Sequence, residues 1–207
     1  MRFWLLLSGV IAPAIYVALA LGGSLLWPGY DLSRQLVSEL GLAEAPHDAV
    51  FNIGLMAAGG LTVLFSLGLF LELRRRGADA VTAALTGLSL ALFGGSIVAG
   101  GLFPLPDERH GAWGIGFAVQ LAPLLALLAL RKAAGLTGFK VFLAVLFVAV
   151  NAVLAVMFGV GDLINQDNLG LWQRAYGLMF TWTAVTALTL MATPVVHTGA
   201  RSAFAAR

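Results

Sequence analysis

Cysteine is absent from the 207 residues. This excludes a disulfide, a thiolate metal site, a catalytic thiol, and palmitoylation or prenylation at a cysteine of this chain. Charge is scarce as well. Only 11% of the residues are Asp, Glu, Lys or Arg, against roughly a quarter in an ordinary soluble domain. The few basic residues form no face interleaved with aromatics, so the net charge of +2 is not a nucleic-acid signal. No glycine-rich loop sits at a strand-to-helix turn, which argues against nucleotide binding. Spacings such as HxxxH or HExxH do not occur, and neither a metal site nor a cofactor is predicted. The apolar segments hold almost no ionisable group at mid-length, and this disfavours a small transporter or proton relay.

What the chain does have is hydrocarbon. Hydrophobic residues make up 60% of it. They fall in blocks of about 20, the length that crosses a bilayer core at ~1.5 Å per helical residue. The prediction is an all-α, multi-pass protein of the cell membrane: a bundle of six transmembrane helices in one domain, residues 1–207. The apolar run after Met1-Arg2 exceeds the 7–15 residues of a signal-peptide core and reads as a retained first span. The predicted spans are Phe3–Leu26, Ala49–Leu73, Ala80–Phe103, Ala112–Leu130, Lys140–Val160 and Leu171–Thr193. Recurrent Gly87, Gly94-Gly95 and Gly100-Gly101 suggest a tightly packed face on the third. Pro13 frees a carbonyl near Gly9, for which Ser8 is a candidate donor.

Orientation follows from the loops. Arg2, Arg74, Arg75, Arg76, Arg131, Lys132, Lys140, Arg201 and Arg207 belong to one side. The other carries Arg34, Arg109 and Arg174, with most of the acids: Asp31, Glu39, Glu44, Asp48, Asp107, Glu108, Asp162 and Asp167. Cations stay cytoplasmic, so both termini are predicted inside and the acidic loops outside. Trp27 and Tyr30, Phe103 and Trp113, and Trp172 and Tyr176 flank the outer loops as interfacial aromatics.

The densest ionisable stretch is the first outer loop, Trp27–Gly41. Leu32, Leu36, Val37 and Leu40 share one helical face, and Asp31, Arg34, Gln35 and Ser38 the other. A short amphipathic helix is predicted there, N-capped by Asp31, stopped at Gly41 and lying on the membrane surface. Pro46 and Asp48 suit the start of the second span.

Three arrangements carry chemical capacity. On the outer face, Asp31, Arg34, Glu39 and Arg174 are candidate ligands for a lipid head group, with arginine on phosphate; membrane lipids are the predicted partners. On the same face, Ser38 as nucleophile with His110 as base and Asp107 as orienting acid, or a carboxylate–His pair alone, would make a lipid hydrolase or transferase. Arg109 is a further candidate for the phosphate, and His47, Asp48 and Glu108 read most simply as caps and ion pairs of the same loops. At mid-membrane, Gln120 and Asn151 lie at a shared depth and are expected to clamp two helices. Trp182 is expected to pack, and Glu72, near an inner end, to reach the interface.

At Gln35–Gly41 (Gln-Leu-Val-Ser-Glu-Leu-Gly), Ala45-Pro-His47 and Phe51-Asn-Ile-Gly54, the chain resembles an uncharacterised prokaryotic membrane family, domain of unknown function 998. Gly101-Leu-Phe-Pro104, followed by Asp107 and His110, continues the resemblance. The layout is also similar to the eukaryotic Frag1/DRAM/Sfk1 group, six-span proteins linked to lipid organisation and autophagy. The resemblance implies a six-helix bundle and a functional first outer loop, and it directs attention to Ser38, Glu39, Phe103, Pro104, Asp107 and His110 without assigning a role to any. Ceramidase-like membrane hydrolases resemble the chain less, because their metal-binding histidines on the spans have no counterpart here.

Overall fold

The computed structural model describes residues 1–195. The tail with His197, Arg201 and Arg207 lies outside the described residues, as does the Trp113 side chain. Among the described residues the fold is all-helical. Five helical segments are long and apolar enough to cross a bilayer. They are α1 (Arg2–Leu26), α2 (Asp48–Arg75), α3 (Ala80–Leu102), α5 (Thr137–Met157) and a composite of α6 (Leu169–Leu178), a 3₁₀ turn (Met179–Thr181) and α7 (Trp182–Ala192).

The fourth predicted span departs from expectation. Residues Ala112–Leu121 wind as a 3₁₀ helix, and only Ala122–Ala129 form an α-helix, α4. Pro123 supplies a reason: it has no N–H for the carbonyl of Val119, and its ring crowds that carbonyl. Gly114, at φ +77°, further loosens the preceding turn.

α2 packs most extensively on α3 and next on α1. The α2–α3 crossing is close because two glycines meet. A Cβ on Gly59 would lie 2.6 Å from the Gly94 carbonyl oxygen, and one on Gly94 would lie 2.8 Å from that of Gly59. Of the small residues expected to form this face, Gly94 is at the contact, whereas Gly95 faces open space.

The carbonyl that Pro13 frees has a partner, but not the expected one. Thr183, on α7, shares its hydroxyl proton between the carbonyls of Gly9 at 2.9 Å and Phe180 at 3.0 Å, while Ser8 turns back to Leu5 at 2.7 Å. A donor from another helix therefore repairs the defect and ties α1 to α7.

Glu72 also differs from expectation. It does not reach an interface; it is 1% exposed. Its carboxylate accepts from Arg75 Nε and Nη2 at 2.9 and 2.6 Å and from Arg76 Nε at 2.8 Å, with Arg2 Nε 3.4 Å away. Arg76, also buried, donates through Nη2 to the carbonyls of Leu190 and Thr193 at 2.8 and 2.6 Å. The basic ends of α1, α2 and α7 are thus closed by one cluster around the buried Glu72–Arg76 pair. A buried charge keeps its ionisation only when paired and hydrogen-bonded, and this one is both.

At the opposite end, Arg34 of the first loop pairs with Asp167 of the loop before α6 at 2.8 Å. Asn52 at the start of α2 donates to Gly41 at 2.9 Å, and the end of α3 lies against the same turn of α2 at Gly101. The three acidic loops therefore gather at one end of the bundle.

Candidate functional site

The acidic end is built around Arg174, one turn and a half into α6. Its Nη1 donates to the carbonyls of Leu32, Gln35 and Gly170 at 2.7, 2.8 and 3.0 Å. Its Nη2 donates to the Tyr30 hydroxyl at 2.8 Å, and Tyr30 in turn donates to the Leu36 carbonyl at 2.7 Å. Burial pushes the Tyr30 phenol up, against the opposing pull of Arg174. Gly170 is buried against the same loop: a Cβ there would lie 2.6 Å from the Leu32 oxygen. The Leu171 N–H reaches Ser33 at 3.3 Å, and the Gln173 side chain accepts from the Val37 N–H.

These contacts explain why the predicted amphipathic helix does not form. A helix over Asp31–Leu40 would need the carbonyls of Leu32 and Gln35 for its own i+4 N–H groups. Both point at Arg174 instead. What remains is a single turn closed by Gln35 N–H to Asp31 at 2.8 Å, followed by a five-residue 3₁₀ turn, Val37–Gly41. Leu32, expected on the apolar face, is exposed, while Val37 and Leu40 are buried against Phe51 and Leu55.

The other predicted ligands have these places. Asp31 accepts from the Ser33 N–H at 2.8 Å, and that backbone bond is the chief cause holding its carboxyl below the usual range. Glu39 accepts from the Leu36 N–H at 2.9 Å and from Gln35 Nε2 at 3.1 Å. Arg34 lies 3.8 Å from Asp31 as well as pairing with Asp167. Asp31, Glu39 and Arg34 therefore shape the loop.

Ser38, Asp107 and His110 are not joined by a hydrogen bond among the described residues. Asp107 is taken by Arg109: Nε and Nη2 meet its two oxygens at 2.9 and 2.7 Å. The Arg109 side-chain bonds, then its backbone N–H, hold the Asp107 carboxyl down at about 2. The Arg109 guanidinium also covers the Phe103 ring at 3.9 Å. His110 Nδ1 is 2.9 Å from the Phe103 carbonyl oxygen. Among the described residues no three His, Asp or Glu side chains converge as metal ligands.

Beneath the first loop, a groove of about 110 Å³ runs between α1 and α6. Val17, Ala20 and Leu21 line one wall, Leu178 and Val37 the other, with Arg174 and Tyr16 as its polar members. Arg174 has a distinctive electrostatic position. All its acceptors are neutral, no carboxylate pairs with it among the described residues, and its Nε–H has no partner there. The guanidinium is oriented but not neutralised, and it borders an apolar groove. Sequence reasoning placed Arg174 here but missed Tyr16, Gly170 and Gln173. Tyr16 sits inside an apolar run with nothing to distinguish it, and Gly170 carries no polar signal at all.

At mid-bundle the expected Gln120–Asn151 clamp is replaced. Gln120 Nε2 donates to the Tyr176 hydroxyl at 2.7 Å, and Asn151 donates to Phe147 in its own helix at 2.8 Å. The Gln120 Oε1 is buried without a partner among the described residues. It borders a cavity of about 20 Å³ walled by Phe93, Val150 and Trp182, enough for one water.

Comparison with curated proteins gives no match, and neither does comparison with solved structures. The family described as "protein of unknown function (DUF998)" matches the chain over residues 10–191, and the chain belongs to it.

Proposed function

We propose that the protein is a six-span membrane protein, both termini cytoplasmic, that recognises a phospholipid at its acidic, outward-facing end in the cell membrane. The span that completes the six, fourth along the chain, is the 3₁₀–α composite at Ala112–Ala129. A 3₁₀ helix rises ~2.0 Å per residue and an α-helix ~1.5 Å. Ten residues of the first and eight of the second therefore reach roughly 32 Å, close to the ~30 Å of a bilayer core.

The observation that carries the lipid reading is the un-neutralised Arg174 at an apolar groove. A cation left without a counter-charge beside hydrocarbon is costly unless an anion completes it. A phospholipid supplies both parts. Its phosphate accepts from the Arg174 Nε–H, and an acyl chain lies along Val17, Leu21 and Leu178. Asp31, Arg34 and Glu39 act by shaping the loop above the groove. The hydrolase alternative through Ser38, Asp107 and His110 has no observation in its favour, since Asp107 and His110 are each engaged elsewhere.

Leu178→Trp tests the lipid reading. Leu178 is exposed at the groove, so the larger ring fills it without displacing the core. Native mass spectrometry should show a phospholipid retained by the wild type and lost from the variant, at unchanged thermal stability. The same lipid retained at the same occupancy would sink the reading.

A further inference from the structure

The opposite end of the bundle holds a second polar cavity, of about 280 Å³. It lies where the end of α2 meets the end of α4. Arg74, Arg131 and Lys132 line it, with Asp79 and the backbone of Gly77-Ala78. In the sequence these cations are dispersed over two loops, and only the fold brings them together.

Their existing bonds leave much of their capacity free. Arg74 donates through Nη1 to the Ala78 carbonyl, which fixes its side chain over the cavity. Arg131 uses the same atom for the Leu128 carbonyl at 2.9 Å and for Asp79 Oδ2 at 3.4 Å. Lys132 has no partner among the described residues and is exposed. Asp79, the lone acid, is mostly engaged in capping α3. Its Oδ1 accepts from the Thr82 N–H at 2.9 Å and its Oδ2 from the Thr82 hydroxyl at 2.8 Å. Three cations against one carboxylate leave the cavity doubly positive.

We infer that this cavity binds a phosphate group, carried either by an anionic lipid of the adjacent leaflet or by a soluble phosphorylated molecule. A phosphomonoester dianion matches both charges, and a lipid phosphodiester, though a monoanion, still offers tetrahedrally placed oxygens to more than one of the three cations. Phosphate oxygens also suit the fork of free N–H groups that two arginines present, with lysine as a point charge. Basic pockets between helices at a membrane surface are recurrent phosphate sites. This site is independent of the lipid reading at the acidic end.

The test uses the full chain in phosphatidylcholine nanodiscs. Calorimetry measures binding of inorganic pyrophosphate. In parallel, native mass spectrometry compares retained phosphatidylglycerol with retained phosphatidylcholine. Lys132→Gln removes no hydrogen bond of the fold and should weaken binding about fivefold, the effect of one cation near a surface. Asp79→Asn keeps the helix cap, since asparagine caps as well as aspartate, and removes the opposing charge; affinity should rise severalfold. Arg2→Gln removes a cation of the same end that is outside the cavity, and should change nothing. Retention of phosphatidylglycerol alone identifies the lipid source, and pyrophosphate binding alone the soluble source; either supports the site. Three results overturn it: neither probe binds, binding is indifferent to Lys132→Gln and Asp79→Asn, or Arg2→Gln weakens it as much as Lys132→Gln.

Discussion

The two ends of the bundle treat a buried or half-buried arginine in opposite ways. At the basic end the buried Arg76 has a buried counter-charge in Glu72, and its remaining donors fasten α7. At the acidic end Arg174 meets only carbonyls and a phenol, so its charge survives. Both residues act as clasps. The difference is that a paired clasp is complete within the protein, while the other keeps an electrostatic demand that a ligand can meet.

The contrast is broken most severely by Glu72→Ala. It leaves Arg76 buried without a counter-charge, and loss of one partner of a buried pair costs about 3–5 kcal/mol. Thermal unfolding in detergent should drop steeply, and an unchanged midpoint would mean that water reaches Arg76. Next in size is Arg174→Lys. An ammonium cannot serve the carbonyls of Leu32, Gln35 and Gly170 together with Tyr30. The expected cost is about 2 kcal/mol, confined to the first loop. Hydrogen exchange should accelerate over residues 30–41 and stay constant in α2 and α3.

A smaller effect is expected from Thr183→Val, which removes the donor to Gly9 and should cost about 1 kcal/mol. Pro13→Ala restores an N–H for that same carbonyl. The double variant should therefore be more stable than Thr183→Val alone, and a double-mutant cycle reads the coupling directly. The smallest effect is in pH. Asp107 is held at about 2 by Arg109, below the ~3.9 of a free aspartate. A lowered carboxyl contributes stability above its unfolded value and loses it as pH falls through the folded one. The Arg109 Nε–H resonance should be flat from pH 7 down to about 3 and then shift with a midpoint at about 2. A resonance that moves at higher pH would mean that Arg109 is not held by the Asp107 carboxylate.

The long apolar helices were legible in the sequence, because a run of about 20 apolar residues has few other uses. The gathering of the acidic loops at one end was legible too, from the distribution of charge. The 3₁₀ winding of Ala112–Leu121 was not, since apolar content is the same for either helix and only Pro123 and Gly114 hinted at strain. The first loop misled for a different reason. Its periodicity is helical, but the competing acceptor demand comes from Arg174, 142 residues from Leu32. Gln120 was likewise read against Asn151, a partner of similar depth, when the hydroxyl of Tyr176 was nearer. In each case the local pattern was sound and a distant side chain outbid it.

The bond between Thr183 and Gly9 spans 174 positions of the chain. During synthesis, the first helix enters the bilayer long before the last one exists. Throughout that interval the Gly9 carbonyl lacks its threonine donor, and Arg76 Nη2 lacks the two carbonyls it later holds. A polypeptide cut short before its final helix would retain both blemishes. Arrival of the last helix supplies both missing partners together.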